Sequence, residues 1–296
     1  MKLFAASLLL ALCIGQAARA QSAYLPAPGS GSVTGGYSFY SFDEFWYGDT
    51  KGDLPDPIEQ HNAVIGIEYG LTDRLALDAT GGWAYNQFEL QDDHDGIIDT
   101  LLGVRYQLFN EFEQPGSPLP TLALRLGAII PGTYEVLTDG SFNSIGDGAA
   151  GAEASLLFGR LFGDTGFGIY GDFGWRVRAE SVPQDLFGSF GITKTFAEKV
   201  TVRVGYRVVH GLSGKDIFAP DFTFNDFPEV QEILHAVEAG IGYSTARGDY
   251  FQVFVAKTID GKNTGDKAFI GASATFPFGA GAPVELPAPT GKGRGK

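Results

Sequence analysis

The chain has 296 residues, with 35 acidic against 21 basic side chains, a formal net charge of −14 and a mean hydropathy near zero. The acidic balance excludes a nucleic-acid partner, whose phosphates call for a basic surface, and offers no basic patch to anionic lipid headgroups. A single cysteine excludes a disulfide framework, and no stretch after the leader approaches the 18 consecutive apolar residues of a transmembrane helix.

Residues 1–20, "MKLFAASLLLALCIGQAARA", start with Lys2, continue through a short apolar core and end on Ala18-Arg19-Ala20. That order predicts a secretory signal cleaved after Ala20. Leu12 precedes Cys13 where a lipoprotein signal wants a small residue, so lipidation is not expected. Losing Lys2 and Arg19 takes the charge from −14 to −16 and leaves 276 of the 296 residues.

From there a period of two governs the chain. In "IDTLLGVRYQL" (98–108), Leu102, Val104, Tyr106 and Leu108 oppose Asp99, Gly103, Arg105 and Gln107. In "TVRVGYRVVH" (201–210), Val202, Val204, Tyr206 and Val208 oppose Arg203, Gly205 and Arg207. Alternation over roughly ten residues is the strand signature. It predicts about twelve strands: 35–46, 60–70, 74–85, 96–108, 119–130, 149–162, 166–179, 185–196, 200–211, 231–244, 249–258 and 267–278. Short gaps at 71–73, 163–165, 197–199 and 245–248 alternate with long ones at 47–59, 86–95, 131–148, 212–230 and 259–266. Two gaps break the pattern: 109–118 is long and 180–184 is short.

Alternating short and long connections describe an all-β, up-and-down antiparallel transmembrane barrel of a Gram-negative outer membrane. Short turns would lie in the periplasm and long loops outside. An even strand count puts both ends in the periplasm. The expected organisation is a signal peptide at 1–20, the barrel at 21–278 and a disordered Pro/Gly-rich periplasmic tail at 279–296.

The polar face carries Glu68, Asp78, Asp99, Arg105, Arg125, Asp172, Arg176, Arg178, Arg203, Arg207 and Glu238. In a soluble sandwich these would face water. In a membrane barrel they line the lumen while the apolar face meets lipid. Two observations favour the membrane. The strands exceed the usual five or six residues of soluble proteins. Aromatics flank their ends, at Tyr69, Trp83, Tyr85, Tyr106, Phe109, Phe162, Tyr243, Tyr250, Phe276 and Phe278, as girdles at the two lipid–water interfaces do.

The words "GGYSFYSFDEFWYGDTKGD", "GIEYGLTDRLALDATGGWAY" and "IIDTLLGVRYQLF" between Gly35 and Asn110 resemble the outer-membrane family named for the meta-pathway of phenol degradation. The resemblance implies a transporter-type barrel taking up aromatic or other hydrophobic small compounds. "YGLTDRLAL", the best of these words, is a turn between strands and carries architecture more than substrate. The chain departs from the usual barrel ending, an aromatic on the last strand (here Phe278), because "GAGAPVELPAPTGKGRGK" follows it.

No enzyme chemistry is legible. The histidines, His61, His94, His210 and His235, lie in no Gly-x-Ser-x-Gly or His-x-Ser context, so a membrane-embedded lipid hydrolase is the least favoured reading. "QDDHDG" (91–96) clusters Asp92, Asp93, His94 and Asp95, a weak candidate for a hard cation without the spacing of a calcium loop. The loop 213–230 offers Phe218, Phe222, Phe224 and Phe227 among aspartates. These rings either gather apolar solutes at the mouth or pack on the barrel rim and lipopolysaccharide. Twelve strands enclose an intermediate lumen, so a narrow selective route is expected. The function read from the sequence is passive passage of small solutes, hydrophobic or aromatic ones among them. A structural or adhesion barrel without transport is the alternative. No cofactor is expected; the partners expected are outer-membrane lipid and lipopolysaccharide, the barrel-assembly machinery and a small solute.

Overall fold

A computed structural model describes residues 22–89, 92–114, 116–134 and 145–279, with the backbone alone at Asp164, Phe224 and Asn225. The predicted leader and the tail beyond Gly279 lie outside the described residues.

The described chain is almost entirely strand. In order these are β1 (Ser30–Tyr47), β2 (Thr50–Thr72), β3 (Leu75–Gln87), β4 (His94–Ile97), β5 (Thr100–Phe109), β6 (Thr121–Ile130) and β7 (Gly151–Leu161). Then come β8 (Phe167–Arg178), β9 (Asp185–Phe196), β10 (Val200–Gly211), β11 (Ile233–Ser244), β12 (Tyr250–Lys262), β13 (Thr264–Gly265) and β14 (Ala268–Gly279). β4 and β13 are short additions at one end. The other twelve pair antiparallel with their neighbours, and β1 pairs β14 from Ser30↔Gly279 to Ser41↔Ala268, so the sheet closes into a barrel. Closure leaves no unpaired backbone edge, the condition for a sheet in hydrocarbon.

The predicted strands all exist, and alternation sorts their faces. Ile65, Ile67, Leu77, Leu126, Val204, Val253 and Ile270 are exposed on the outer face. In water so broad an apolar surface would be untenable; against lipid it is the surface the bilayer requires. Leu75-Leu77 outside and Ala76-Asp78 inside follow directly from "YGLTDRLAL", whose turn is Asp73-Arg74 capped by Thr72 Oγ1, which accepts the Arg74 N–H at 3.2 Å. At the β9–β10 turn, Ala197 and Glu198 both take left-handed φ, 47° and 59°. Two such residues suit the twist of a tight hairpin.

The two irregular gaps keep their lengths: 110–120 is long at the end of the tight turns, and 179–184 is short at the other end. Two predicted loops, 47–59 and 259–266, turn out largely as ladder. β1 and β2 run on as a hairpin to Tyr47↔Thr50, and β12 continues to Lys262. Pro55 and Pro57 do not end β2, because they sit in the irregularity between the Phe42↔Ile58 and Glu44↔Asp53 pairs, with β3 reaching only Glu59. No ladder donor is asked of them there. A further difference concerns Tyr250, expected in the outer girdle. It alternates with exposed Phe251 and lies over Gly242 inside the barrel, its hydroxyl 3.4 Å from Gln252 Oε1.

Candidate functional site in the barrel interior

The inner face divides into two walls. On the first, β2, β3, β5, β6 and β7 bring Glu68, Asp78, Arg105, Arg125 and Glu153 into one lattice. Arg105 and Arg125 are directly opposed on β5 and β6, an arrangement of like charges that destabilises unless anions interleave. They do. Arg105 donates to Glu68 at 2.6 Å and lies 3.4 Å from Asp78. Arg125 Nη2 donates to Asp78 at 2.7 Å, and its Nη1 pairs Glu153. Both arginines are 1 % exposed. Gly103 and Gly127 make the room: a Cβ on Gly103 would lie 2.5 Å from both Arg125 Nη2 and Asp78 Oδ1. Glu153 carried no sequence signal, because "GAEASLL" reads as a small-residue strand start.

A strap formed by residues 22–28 enters the barrel beside this lattice. Arg105 Nη1 donates to the Ser22 carbonyl at 2.9 Å, and Gln107 Nε2 to the Ala23 carbonyl at 3.2 Å. Ala23 packs on Ala123 and Leu157, and the Tyr24 hydroxyl donates to Glu111 at 2.6 Å. The strap leaves through Gly29, whose N–H donates to the Gly70 carbonyl. "SAYLPAPG" has no period, so pattern reading could not place it.

At the loop end, Arg178 pairs Asp147 and Asp185 and donates to the Pro183 carbonyl at 2.8 Å. Arg176 lies 3.3 Å from Asp185 and over the Phe187 ring at 5.1 Å. Asp99 falls between β4 and β5, not within a strand, and accepts the Gly132 and Asp147 N–H groups at 3.0 and 3.2 Å.

The second wall, β8 to β12, is looser. Asp172 accepts from Ser189. Glu238 accepts from Arg207 at 3.1 Å and from the Tyr170 hydroxyl at 3.3 Å, and lies 4.0 Å from Arg203. The side chains of Arg203 and Arg207 are 23 % and 16 % exposed. A half-enclosed cleft opens here, lined by Arg203, Arg207, Glu238, Leu234, Phe254 and Phe269 among others.

The loop 212–232 covers the same end. Phe227 is buried against Val230, Ile217 and Phe222, whereas Phe218 is exposed; the Phe224 side chain lies outside the described residues. Thr223 caps the short helical turn Phe224–Glu229, and Lys215 and Thr223 hold Asp226 down at about 2. Glu232, just before β11, accepts from Thr264 at 2.7 Å, and burial pushes it up to about 7 against the pull of Lys267.

The outer rim uses the residues that raised questions of chemistry. His61 sits within β2, well short of its end, and meets the Tyr37 hydroxyl at 2.6 Å; His235 meets Tyr206. Asp95 accepts the Trp83 indole N–H at 3.0 Å, and Asp93 the Tyr85 hydroxyl at 2.6 Å. These are pairings of girdle aromatics with polar tips. Among the described residues, no three histidine or acidic side chains converge as metal ligands.

Solved structures share this architecture. A crystal structure of an outer-membrane channel from Pseudomonas putida F1 aligns with a TM-score of 0.67 at 13 % identity, covering 86 % of this chain and 98 % of that one. The translocator domain of the autotransporter NalP from Neisseria meningitidis gives 0.50 at 11 % identity, over 89 % and 93 % of the two chains. At such identities the likeness establishes the outer-membrane barrel fold. No protein-family model and no curated protein sequence matches the chain.

Proposed function

We propose that this chain is an outer-membrane channel through which small solutes, hydrophobic or aromatic ones among them, pass passively. The observation that carries the reading is the asymmetry of the interior: one wall buries its arginines between ion pairs and the strap, while the other leaves Arg203 and Arg207 partly exposed beside a single shared glutamate. Solute would move along β8–β12, past Asp172, Arg203, Arg207 and Glu238. Arg105, Arg125, Glu68 and Asp78 would shape that route from the opposite side. The name of the family that the chain resembles supports the aromatic preference, the turn word "YGLTDRLAL" supports only the architecture, and the shared barrel fold supports the location.

In this reading residues 1–20 direct export, the barrel-assembly machinery inserts residues 21–278, and the girdle meets lipid and lipopolysaccharide. Phe218, exposed on the loop 212–232, is the ring placed to meet solute first, and the buried Phe227 holds that loop down. Purified protein in planar bilayers tests the proposal: stepwise conductance is the expected result. A silent but correctly folded barrel would replace it with a structural role, which the strap and the covering loop favour as the second reading.

A further inference from the structure

The connection from β6 to β7 does not stay outside the barrel. Val64 and Ala84 belong to the inner face, since they alternate with the exposed Ile65 and Trp83. Ile145 packs with both, and with Ile98 and Tyr134, at 2 % exposure. The limb that returns to β7, residues 145–150, therefore passes through the lumen. Gly148 turns the chain there at a φ of 66°, and Ala149 follows it fully buried. An L side chain at 148 would be strained in that conformation.

Two charged groups hold this limb from different strands. Asp99 accepts one N–H from each side of the connection, Gly132 on the way out and Asp147 on the way back. Arg178, the last residue of β8, pairs the Asp147 carboxylate. The Arg178 side chain is only 4 % exposed, fixed in turn by Asp185 and the Pro183 carbonyl. Beside it the Ala179 N–H donates to the Ala150 carbonyl at 2.8 Å. The carboxylate partners of Arg105 and Arg125 all lie on barrel strands. Arg178 differs, because Asp147 lies on no strand and the pair ties wall to loop. Without the guanidinium, Asp147 would stand near Asp99 and Asp185 as an uncompensated like charge, which favours release of the limb.

We propose that residues 145–150 form an inward-folded stopper at the loop end of the lumen, and that Arg178, acting through Asp147, is the positioning residue that keeps it seated. This deepens the channel reading and rests on it, because a stopper acts only where something passes. The seated limb narrows the lumen from the β2 and β3 side and leaves the β8–β12 wall to the solute. Asp99 staples the base of the connection, Ile145 anchors the limb in the inner face, and the Asp147–Arg178 pair is the latch.

The test reads the position of the limb directly. Cys13, in the leader, is the only cysteine of the chain, so Ile145→Cys places a reporter thiol in the full-length protein. In detergent this thiol reacts slowly with a charged methanethiosulfonate reagent. Arg178→Gln speeds the reaction about tenfold, the loss of roughly one charged hydrogen bond. Asp147→Asn gives a similar rise without touching a strand, and Arg178→Lys, which keeps the charge, restores most of the protection. A second reporter, Leu157→Cys, is fully buried on the packed wall and keeps its rate in every background, which separates release of the limb from loosening of the barrel. Heat-modifiable migration confirms that each variant has folded. In planar bilayers Arg178→Gln raises single-channel conductance. Faster labelling at 145 in variants that never conduct would sink the channel and keep the latch. Labelling at 145 untouched by both Arg178→Gln and Asp147→Asn, an equal rise at 157, or a released limb with unchanged conductance overturns the proposal.

Discussion

The wall built from β2 to β7 buries Arg105 and Arg125 to 1 % exposure, each between two carboxylates, whereas β10 leaves Arg203 and Arg207 partly exposed around a single shared glutamate. The residue types are the same, and so is the alternation that turns them inward. What differs is the number of acids that the cross-strand register brings within reach, and whether water can reach the rest. Removing one partner from a buried guanidinium leaves an uncompensated charge and is costly; a partly exposed one can be compensated by water. Exposure and partner number therefore separate the arginines locked into the packed wall from those that stay partly open to the lumen.

The strongest way to break this contrast is to remove one arginine from each wall. Arg125→Met strands Asp78 and Glu153 beside a remaining Arg105, at a cost of about 3–5 kcal/mol. Arg203→Met leaves a glutamate still paired with Arg207 and costs at most ~1 kcal/mol. Thermal midpoints of heat-modifiable migration measure both, and equal losses would erase the distinction.

The loop end sharpens it through pH. Glu232 is buried at the base of the covering loop, and its folded-state value near 7 stands above its ordinary 4.5. The folded protein therefore holds a proton that the unfolded chain releases. The contribution is fully present below pH 4.5 and is lost as pH rises through about 7, a swing of up to about 3 kcal/mol. Glu232→Gln should flatten the pH dependence of stability between pH 5 and 8. A variant with the wild-type slope would assign the titration elsewhere.

A smaller effect comes from glycine. Gly103→Ala pushes a methyl into the Arg125–Asp78 contact and should cost about 1–3 kcal/mol by overpacking. Gly35→Ala, on the outer face with open space where its Cβ would stand, should be near neutral. Denaturant midpoints of the two variants in the same detergent compare them directly.

The twelve barrel strands and the facing of most of them were legible because a period of two is written locally, residue by residue; "YSFYSFDEFWY", aromatic on both faces, leaves the register of the first open, and Tyr250 faces inward against expectation. The division of the walls was not, because it depends on register: Arg105 faces Arg125, and Gly103 sits where Arg125 must pass. Neither fact exists until strands are paired. Pro55 and Pro57 looked like loop because their tolerance depends on an irregularity opposite them. Phe218 and Phe227 were indistinguishable in sequence and differ completely in burial. The strap was hidden for the plainest reason, since a segment with no period announces no partner.

That strap gives the last and most local comparison, between a lumen with it and one without. Removing residues 22–28 while keeping the leader frees the Arg105 Nη1 and Gln107 donors and uncovers Ala123 and Leu157 at the tight-turn end of the packed wall. Arg105 keeps Glu68 and Asp78, and the freed donors gain access to lumen water, so stability should fall by the net worth of one or two hydrogen bonds, about 1–2 kcal/mol. Conductance should rise, because the strap occupies lumen that the ion-pair lattice does not. If the deletion leaves single-channel conductance unchanged while Arg203→Gln alters it, the narrowest point lies on the β10–β12 wall alone, and the strap serves only to complete the packing around Arg105.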